Sequence, residues 1–154
     1  MTERAKRLLQ MDEGTLFTHG GCHVFALALR KRFQYPLVGV RVQGKGGCPH
    51  IACAPEPRVV LDVFGWFQQA EYARGELSEL AALSFQQIEE EQLDSWSTQG
   101  DGEGLYVHPS FLVSATEKAN TWIERHVEHF NGIDKRPIPG LCRIKKASAL
   151  DVWK

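Results

Sequence analysis

The chain of 154 residues lacks any apolar run of the roughly 20 residues that a membrane-spanning helix needs. Its N-terminal segment, 1–10, is charged and has no apolar signal-peptide core, so we expect a protein that is cytoplasmic as synthesised. Export by a route that reads no N-terminal signal stays open. The formal net charge is -1, whereas a nucleic-acid-binding protein typically carries an excess of basic residues. From these absences we expect no membrane partner and no nucleic-acid partner.

Several motifs of known chemistry are also absent. The glycine-rich segment 44–47 is not followed by the strand–loop–helix pattern of a phosphate or dinucleotide site, and no serine elbow occurs. The segment 126–128 matches the first element of a zinc nucleobase deaminase, but no Pro-Cys-x-x-Cys follows it. Hydrophobic residues make up 43% of the chain and charged residues 24%, which is ordinary for a globular protein. We therefore predict a single domain spanning 1–154.

Cysteines are few, and without a secretory signal we interpret them as thiols rather than as a disulfide framework. The four are Cys22, Cys48, Cys53 and Cys142. Structural zinc is the main chemical alternative, because His23 and His50 lie beside three of these sulfurs. On a strand, however, Cys48 and His50 would point to one face and Cys53 to the other. We predict no metal ligand and no cofactor.

The apolar pattern predicts an α+β fold in which a central helix packs on a small antiparallel sheet. This helix begins at Cys22 and ends near Arg32, with basic residues at its C-terminal end. Further helices are predicted over 3–11, 66–74, 84–93 and 110–130, and strands over 37–42, 49–54 and 58–64. A last strand is predicted over 141–144. The polar, glycine-rich segment 95–104 is predicted to be a loop and a candidate lid.

Cys22 follows Gly20 and Gly21 at the start of the central helix. Unpaired N–H groups and the positive end of the helix dipole favour a thiolate there and lower its pKa. The same N–H groups are donors for an oxyanion, and the glycines let backbone approach a substrate closely. Cys22 is therefore the candidate nucleophile. We exclude His23 as its base, because neighbouring helix residues do not share a face.

A hairpin centred on Glu56 supplies the base and its orienting residue. If 49–54 pairs with 58–64 about this residue, Val59 lies opposite Cys53, and His50 lies opposite Asp62. Opposite side chains on one face have Cβ atoms roughly 4.5–5.5 Å apart, within reach of a hydrogen bond between imidazole and carboxylate. A slip by one residue would separate them. The pattern predicts a Cys22–His50–Asp62 triad.

The order Cys22, His50, Asp62, with a helical cysteine and the other two on adjacent strands, resembles the papain-like cysteine hydrolase superfamily. It is closest to the compact bacterial branch with NlpC/P60-type hydrolases and toxin or effector domains. The resemblance covers about 45 residues, 18–65. It implies a Cys22 nucleophile, a His50 base, an orienting Asp62, and a protein or peptide substrate cleaved, deamidated or transglutaminated at an amide. Position 16 is Leu where papain-type enzymes have Gln, and position 21 is Gly where NlpC/P60 enzymes usually have Asp.

Other residues enter as secondary candidates. Thr18, His19 and Gly21 are candidates for substrate or oxyanion contacts, and Trp66 is a candidate wall of the cleft. The segment 71–103 holds nine acidic side chains against one basic side chain, so we expect either a solvated face or a surface for a basic protein partner. Two other classes stay open: a non-catalytic binding or adaptor protein of the same fold, and a small zinc-stabilised domain.

Overall fold

A computed structural model of the protein describes residues 1–42, 50–73, 83–93 and 108–141. The helices are α1 (Glu3–Gln10), α2 (Glu13–Leu16), α3 (Cys22–Phe33), α4 (Gln69–Ala73), α5 (Pro109–Arg125) and α6 (Val127–Phe130). The strands are β1 (Leu37–Val42), β2 (His50–Cys53), β3 (Val59–Asp62), β4 (Gly65–Gln68) and β5 (Leu83–Ile88), and a short 3₁₀-helix spans Glu90–Gln92. Within the described ranges, no helix is long and apolar enough to cross a membrane.

The strands form an antiparallel sheet in the order β4-β3-β2-β1-β5. Strand residues alternate between two faces, and the two faces carry separate apolar clusters. One face, with Leu37, Ile51 and Leu61, packs against α3 in the main core, and α5 joins this core by packing on α3. The other face, with Val38, Ala52 and Val60, joins Tyr72 of α4 in a second cluster. The predicted α+β fold, with a central helix on a small antiparallel sheet, is confirmed.

Helix α3 has clear physical reasons for both of its ends. At its start, the N–H groups of Val24 and Phe25 donate to the carbonyl of Gly21 at 3.0 and 3.2 Å. At its end, Gln34 adopts a left-handed conformation with φ of 59°, and basic residues occupy the last turn. Both the sheet and α5 contact this helix, so its apolar residues are buried on most sides. The sequence predicted these bounds to within one residue.

Two predicted helices are wrong in part. Of 66–74, the first three residues belong to strand β4, whereas Gln69–Ala73 is helical as predicted. Of 84–93, the first half belongs to strand β5, which pairs with β1 along its whole length. Backbone pairing outweighs the local helical pattern in both strands, with the distant strand β1 for β5 and with the neighbouring strand β3 for β4. The longest predicted helix, 110–130, is instead two helices that meet at His126.

The predicted hairpin forms, but its register is shifted. Cys53 of β2 pairs with Leu61 of β3, two residues beyond the predicted partner Val59. A shift by an even number keeps every side chain on its expected face. His50 and Asp62 therefore remain on one face, but diagonally rather than directly opposite. The predicted strand 141–144 and the candidate lid 95–104 fall outside the described residues, except for Leu141 itself.

The turn between β3 and β4 is fixed by a segment much later in the chain. The N–H of Ile138 donates to the carbonyl of Phe64 at 2.7 Å, and the N–H of Trp66 donates to the carbonyl of Arg136 at 3.3 Å. Gly65 has a φ of +101°, and a Cβ there would lie 2.8 Å from the Arg136 oxygen. Only glycine fits this close crossing. The crossing lies three residues beyond Asp62.

Candidate active site

Cys22 is the first residue of α3, and the chain before it is packed tightly. The N–H of Gly21 donates to the carbonyl of Leu16 at 2.9 Å, so the segment folds back onto α2. A Cβ on Gly21 would lie 2.9 Å from that same oxygen, which excludes any larger residue without movement. The N–H of Cys22 lies in the first helical turn, where no acceptor exists within the helix. It is therefore positioned to donate to a group bound beside the sulfur.

His50 and Asp62 come together at one end of the sheet. The His50 Nε2 atom lies 3.7 Å from Oδ2 of Asp62, and the exposed side-chain fractions are 15% and 4%. Asp62 is buried, and a buried carboxylate requires local donors to replace water. The N–H of Phe64 donates to Oδ1 at 2.8 Å, and the Tyr72 hydroxyl donates to Oδ2 at 3.1 Å. The carboxylate is thus held in one orientation, facing the imidazole.

The electrostatics of Cys22 and His50 favour a charged pair. Burial of the thiol opposes its ionisation, but hydrogen bonds from His23 and His50 and their positive charge outweigh burial, lowering the pKa of Cys22 from 9.0 to about 5. Burial also opposes charge on His50, but its interactions with Asp62 and Cys22 raise the pKa of His50 from 6.5 to about 9. Between these values the site holds a thiolate beside an imidazolium.

Cys53 provides the contrast within the same protein. It lies on β2 in the main core, where its Sγ contacts the carbonyl of Ala26 at 3.4 Å. Burial dominates there and raises the pKa of Cys53 to about 12, opposed only weakly by the charge of Arg30. A buried thiol without an imidazole stays protonated, as an apolar core residue does. The difference between the two cysteines therefore comes from the histidines near Cys22.

Two further histidines lie at this site. His23 contributes to the lowered pKa of Cys22, although the sequence excluded His23 as the base. His19 is buried, and burial together with the charge of His50 lowers the pKa of His19, against a hydrogen bond to Thr15 that raises it. Its Nδ1 contacts the Thr15 carbonyl at 3.1 Å and the Thr18 hydroxyl at 2.9 Å.

The proposed oxyanion donors before Cys22 are already engaged. The backbone N–H groups of Thr18 and His19 both donate to the carbonyl of Thr15, and the Thr18 hydroxyl donates to Gly14 at 2.7 Å. Gly21 donates to Leu16, as described above. In this conformation none of the three backbone N–H groups is left to serve as a second oxyanion donor. They shape the turn that presents Cys22 instead.

Trp66 does not line the site. It pairs with Leu61 on the sheet face that packs against the helices, opposite the face that carries His50 and Asp62. Its indole N–H donates to the carbonyl of His129, and its ring contacts Tyr35 edge-on. The structure thus makes Trp66 a core residue rather than a wall of the cleft.

The described residues offer no metal centre. Among 1–42, 50–73, 83–93 and 108–141, no three His, Cys, Asp or Glu side chains are arranged to hold a metal ion. Cys48, which the zinc alternative needs, lies outside these ranges, and so does Cys142. His23 and His50 both act on the pKa of Cys22, but these three side chains are not arranged to hold a metal ion.

Comparison of the chain with protein-family models, with curated proteins and with solved structures found no match. The resemblance to papain-like hydrolases therefore remains a prediction that rests on the chain's own residues.

Two contacts at this site were missed from the sequence. Tyr72 reaches Asp62 only because β4 reverses the chain and α4 folds back over the sheet. No local sequence pattern predicts this reversal. His23 was excluded by a rule for helix interiors. A histidine directly after a helix-starting cysteine was the available signal.

Proposed function

We propose that this protein is a cysteine-dependent hydrolase or acyl-transfer enzyme that acts on an amide or peptide bond. The observation that carries the proposal is the grouping of Cys22, His50 and the buried Asp62, with the thiol favoured as thiolate and the imidazole as imidazolium. Perturbed pKa values of this kind cluster at functional sites. We place the activity in the cytoplasm, where thiols stay reduced.

In the proposed reaction, the Cys22 thiolate attacks the amide carbon, and the carbonyl electron pair moves to oxygen. The N–H of Cys22 donates to this oxyanion. Because His50 Nε2 faces Asp62, Nδ1 is the nitrogen left for the sulfur and the substrate. It gives its proton to the leaving nitrogen as the C–N bond breaks, which leaves a thioester on Cys22 and a neutral imidazole.

Deacylation reverses the proton transfer. Water attacks the thioester while neutral His50 accepts its proton, and the C–S bond then breaks to release a carboxylic acid and restore the thiolate–imidazolium pair. Water as the acceptor gives proteolysis or glutamine deamidation, and an amine gives transglutamination. Asp62 keeps the imidazole oriented through both steps and stabilises its positive charge.

An activated ester tests the proposal without a known substrate. With p-nitrophenyl acetate we expect a rapid release of about one equivalent of p-nitrophenolate, an acetyl group on Cys22 by peptide mass mapping, and continued turnover. Cys22→Ala abolishes the burst. His50→Gln slows acylation by about 10²–10⁴-fold. Cys53→Ala, which changes a thiol outside the site, leaves the burst intact.

The rival classes give different results in the same assay. A non-catalytic adaptor gives neither burst nor turnover, and a zinc-stabilised domain contains stoichiometric metal and loses stability with a chelator. Acetylation of Cys22 without turnover means a reactive thiol but no hydrolase. Screening peptide anilides and glutaminyl peptides, with ammonia release as a second readout, then separates protease from deamidase.

A further inference from the structure

Tyr72 connects helix α4 to the proposed catalytic residues. Its hydroxyl donates to Oδ2 of Asp62 at 3.1 Å, and this is the same oxygen that lies 3.7 Å from His50 Nε2. The other oxygen, Oδ1, is held by the Phe64 N–H at 2.8 Å. One carboxylate oxygen thus accepts a hydrogen bond from the main chain. The other accepts a hydrogen bond from Tyr72, and the His50 Nε2 atom lies beside it at a longer distance.

The position of Tyr72 is fixed by its surroundings. The residue is 3% exposed, and its ring meets Phe67 and Phe85 edge-on, with centroids 5.8 and 6.3 Å away. Its plane lies within 20° of the His50 plane at a centroid distance of 6.2 Å. Edge-on aromatic contacts of this kind define both the place and the tilt of a ring. The hydroxyl therefore approaches Asp62 along a set direction.

We propose that Tyr72 is a positioning residue for the proposed reaction: its hydroxyl shares Oδ2 of Asp62 with His50 and limits how strongly the carboxylate holds the imidazolium. A donor to a carboxylate takes up part of its negative charge, and hydrogen bonds in a low-dielectric site are felt strongly by their neighbours. Tyr72 thereby keeps His50 able to release its proton to the leaving nitrogen. The inference rests on the proposed function for its meaning in catalysis.

Removal of the Tyr72 hydroxyl takes away its hydrogen bond to Oδ2 and leaves His50 beside this oxygen. The carboxylate then attracts the imidazolium more strongly, and the imidazolium becomes a weaker acid. In the described part of the chain, the titratable groups that face His50 are Cys22 from α3, Asp62 from β3, Tyr72 from α4 and His19 after α2. Cys22 and Asp62 raise the pKa of His50, whereas the positive charge of His50 lowers the pKa of His19.

The test is a histidine NMR titration of the full chain with Tyr72→Phe, which keeps the ring and removes the hydroxyl. We expect the upper titration of His50 to move to higher pH by on the order of half a unit. His50→Gln assigns the signal. Tyr35→Phe is the matched control, because the Tyr35 hydroxyl also makes one hydrogen bond, to the Phe130 carbonyl at 2.8 Å, outside the site. It leaves the His50 titration unchanged.

A pKa of His50 that is unchanged or lowered in Tyr72→Phe overturns the proposal. A tyrosine with only a structural role would alter stability without raising the pKa of His50. Incorporation of 3-fluorotyrosine in the otherwise unaltered chain gives a second measurement that does not depend on the folding of the variant. A more acidic phenol is a stronger donor, so the His50 titration then moves to lower pH. No movement there also overturns the proposal.

Failure of the proposal is distinguishable from failure of the proposed function. The pairing of His50 with Asp62 exists in Cys22→Ala as well, so the effect of Tyr72→Phe on His50 is measured there without any catalytic thiol. If the wild type shows no acyl-enzyme but Tyr72→Phe still raises the His50 titration, the function is wrong and the positioning role stands. If the wild type turns over but Tyr72→Phe does not change the pKa of His50, the proposed function stands and the positioning role of Tyr72 is wrong.

Discussion

The alkylation rate of Cys22 as a function of pH follows directly from the site. At about pH 6, a thiol with a pKa of about 5 is roughly nine-tenths thiolate, whereas one with an ordinary pKa near 9.0 is roughly one-thousandth thiolate. The less basic thiolate is a weaker nucleophile, by about 40- to 100-fold at a Brønsted slope of roughly 0.4–0.5. The net expectation is a rate about 10- to 20-fold above that of a small unperturbed thiol.

The assay is iodoacetamide labelling between about pH 4 and 10, with each cysteine followed by peptide mass mapping. We expect the Cys22 rate to rise through a midpoint of about 5 and to change again near the pKa of His50, about 9. Cys53, whose pKa burial raises to about 12, is the internal control and stays unlabelled in the folded protein. In His50→Gln, the midpoint of Cys22 moves upward toward the ordinary range.

A different pH profile would refute the reasoning. A Cys22 midpoint between about 8 and 9 means that the histidines do not stabilise the thiolate. Equal labelling of Cys22 and Cys53 near pH 6 means that the reagent reports unfolding rather than a site. A midpoint of about 5 that His50→Gln leaves in place assigns the effect to His23 and to the helix start, and removes His50 from the role of base.

Three further predictions concern the same residues. Asp62→Asn removes the charge that raises the pKa of His50, so the upper step near 9 in the labelling profile moves to lower pH. Gly21→Ala places a Cβ 2.9 Å from the Leu16 oxygen, so urea unfolding shows a loss of about 2 kcal/mol, and unchanged stability contradicts the close approach. The free energy of unfolding falls as the pH drops from 6.5 to about 5, because there the folded Cys22 holds a thiolate that the unfolded chain protonates, while His50 is charged in both states. Above 6.5 the two shifts oppose each other up to about 9, and Cys22→Ser lacks the fall below 6.5.

The elements predicted best from the sequence are those specified by local chemistry. Helix α3 follows from a glycine pair, a dense apolar run and basic residues at its end, all within a short stretch. Strands β1, β2 and β3 follow from β-branched residues with proline and glycine between them. Cys22, His50 and Asp62 all lie on these elements, so the sequence also predicted that the three side chains come together.

The elements predicted wrongly are those decided by strand pairing rather than by their local pattern. Strand β5 forms because its backbone pairs with β1, from Leu37 opposite Ile88 to Val42 opposite Leu83, across a long intervening stretch. Strand β4 forms because it returns directly along β3, with Asp62 opposite Gly65. Short segments with mixed polar and apolar residues fit either a helix or a strand, and pairing then decides between them.

The shifted hairpin shows why a site survives a partly wrong register. The predicted and observed pairings of β2 with β3 differ by two residues, so the faces are conserved and only the direct opposition of His50 and Asp62 is lost. Long polar side chains bridge a diagonal as well as a direct pair. The Tyr72 contact had no such tolerance, because it depends on where β4 ends and α4 begins.

The late crossing at Phe64 has a consequence for how the protein is made. Phe64 gives its N–H to Asp62 and receives the N–H of Ile138 at its carbonyl, so the orienting carboxylate is tied to a segment synthesised much later. A ribosome that has released Cys22 and His50 has not yet released the residues that close this turn. The turn that holds the Asp62 carboxylate therefore closes only after residue 138 has been synthesised and has docked.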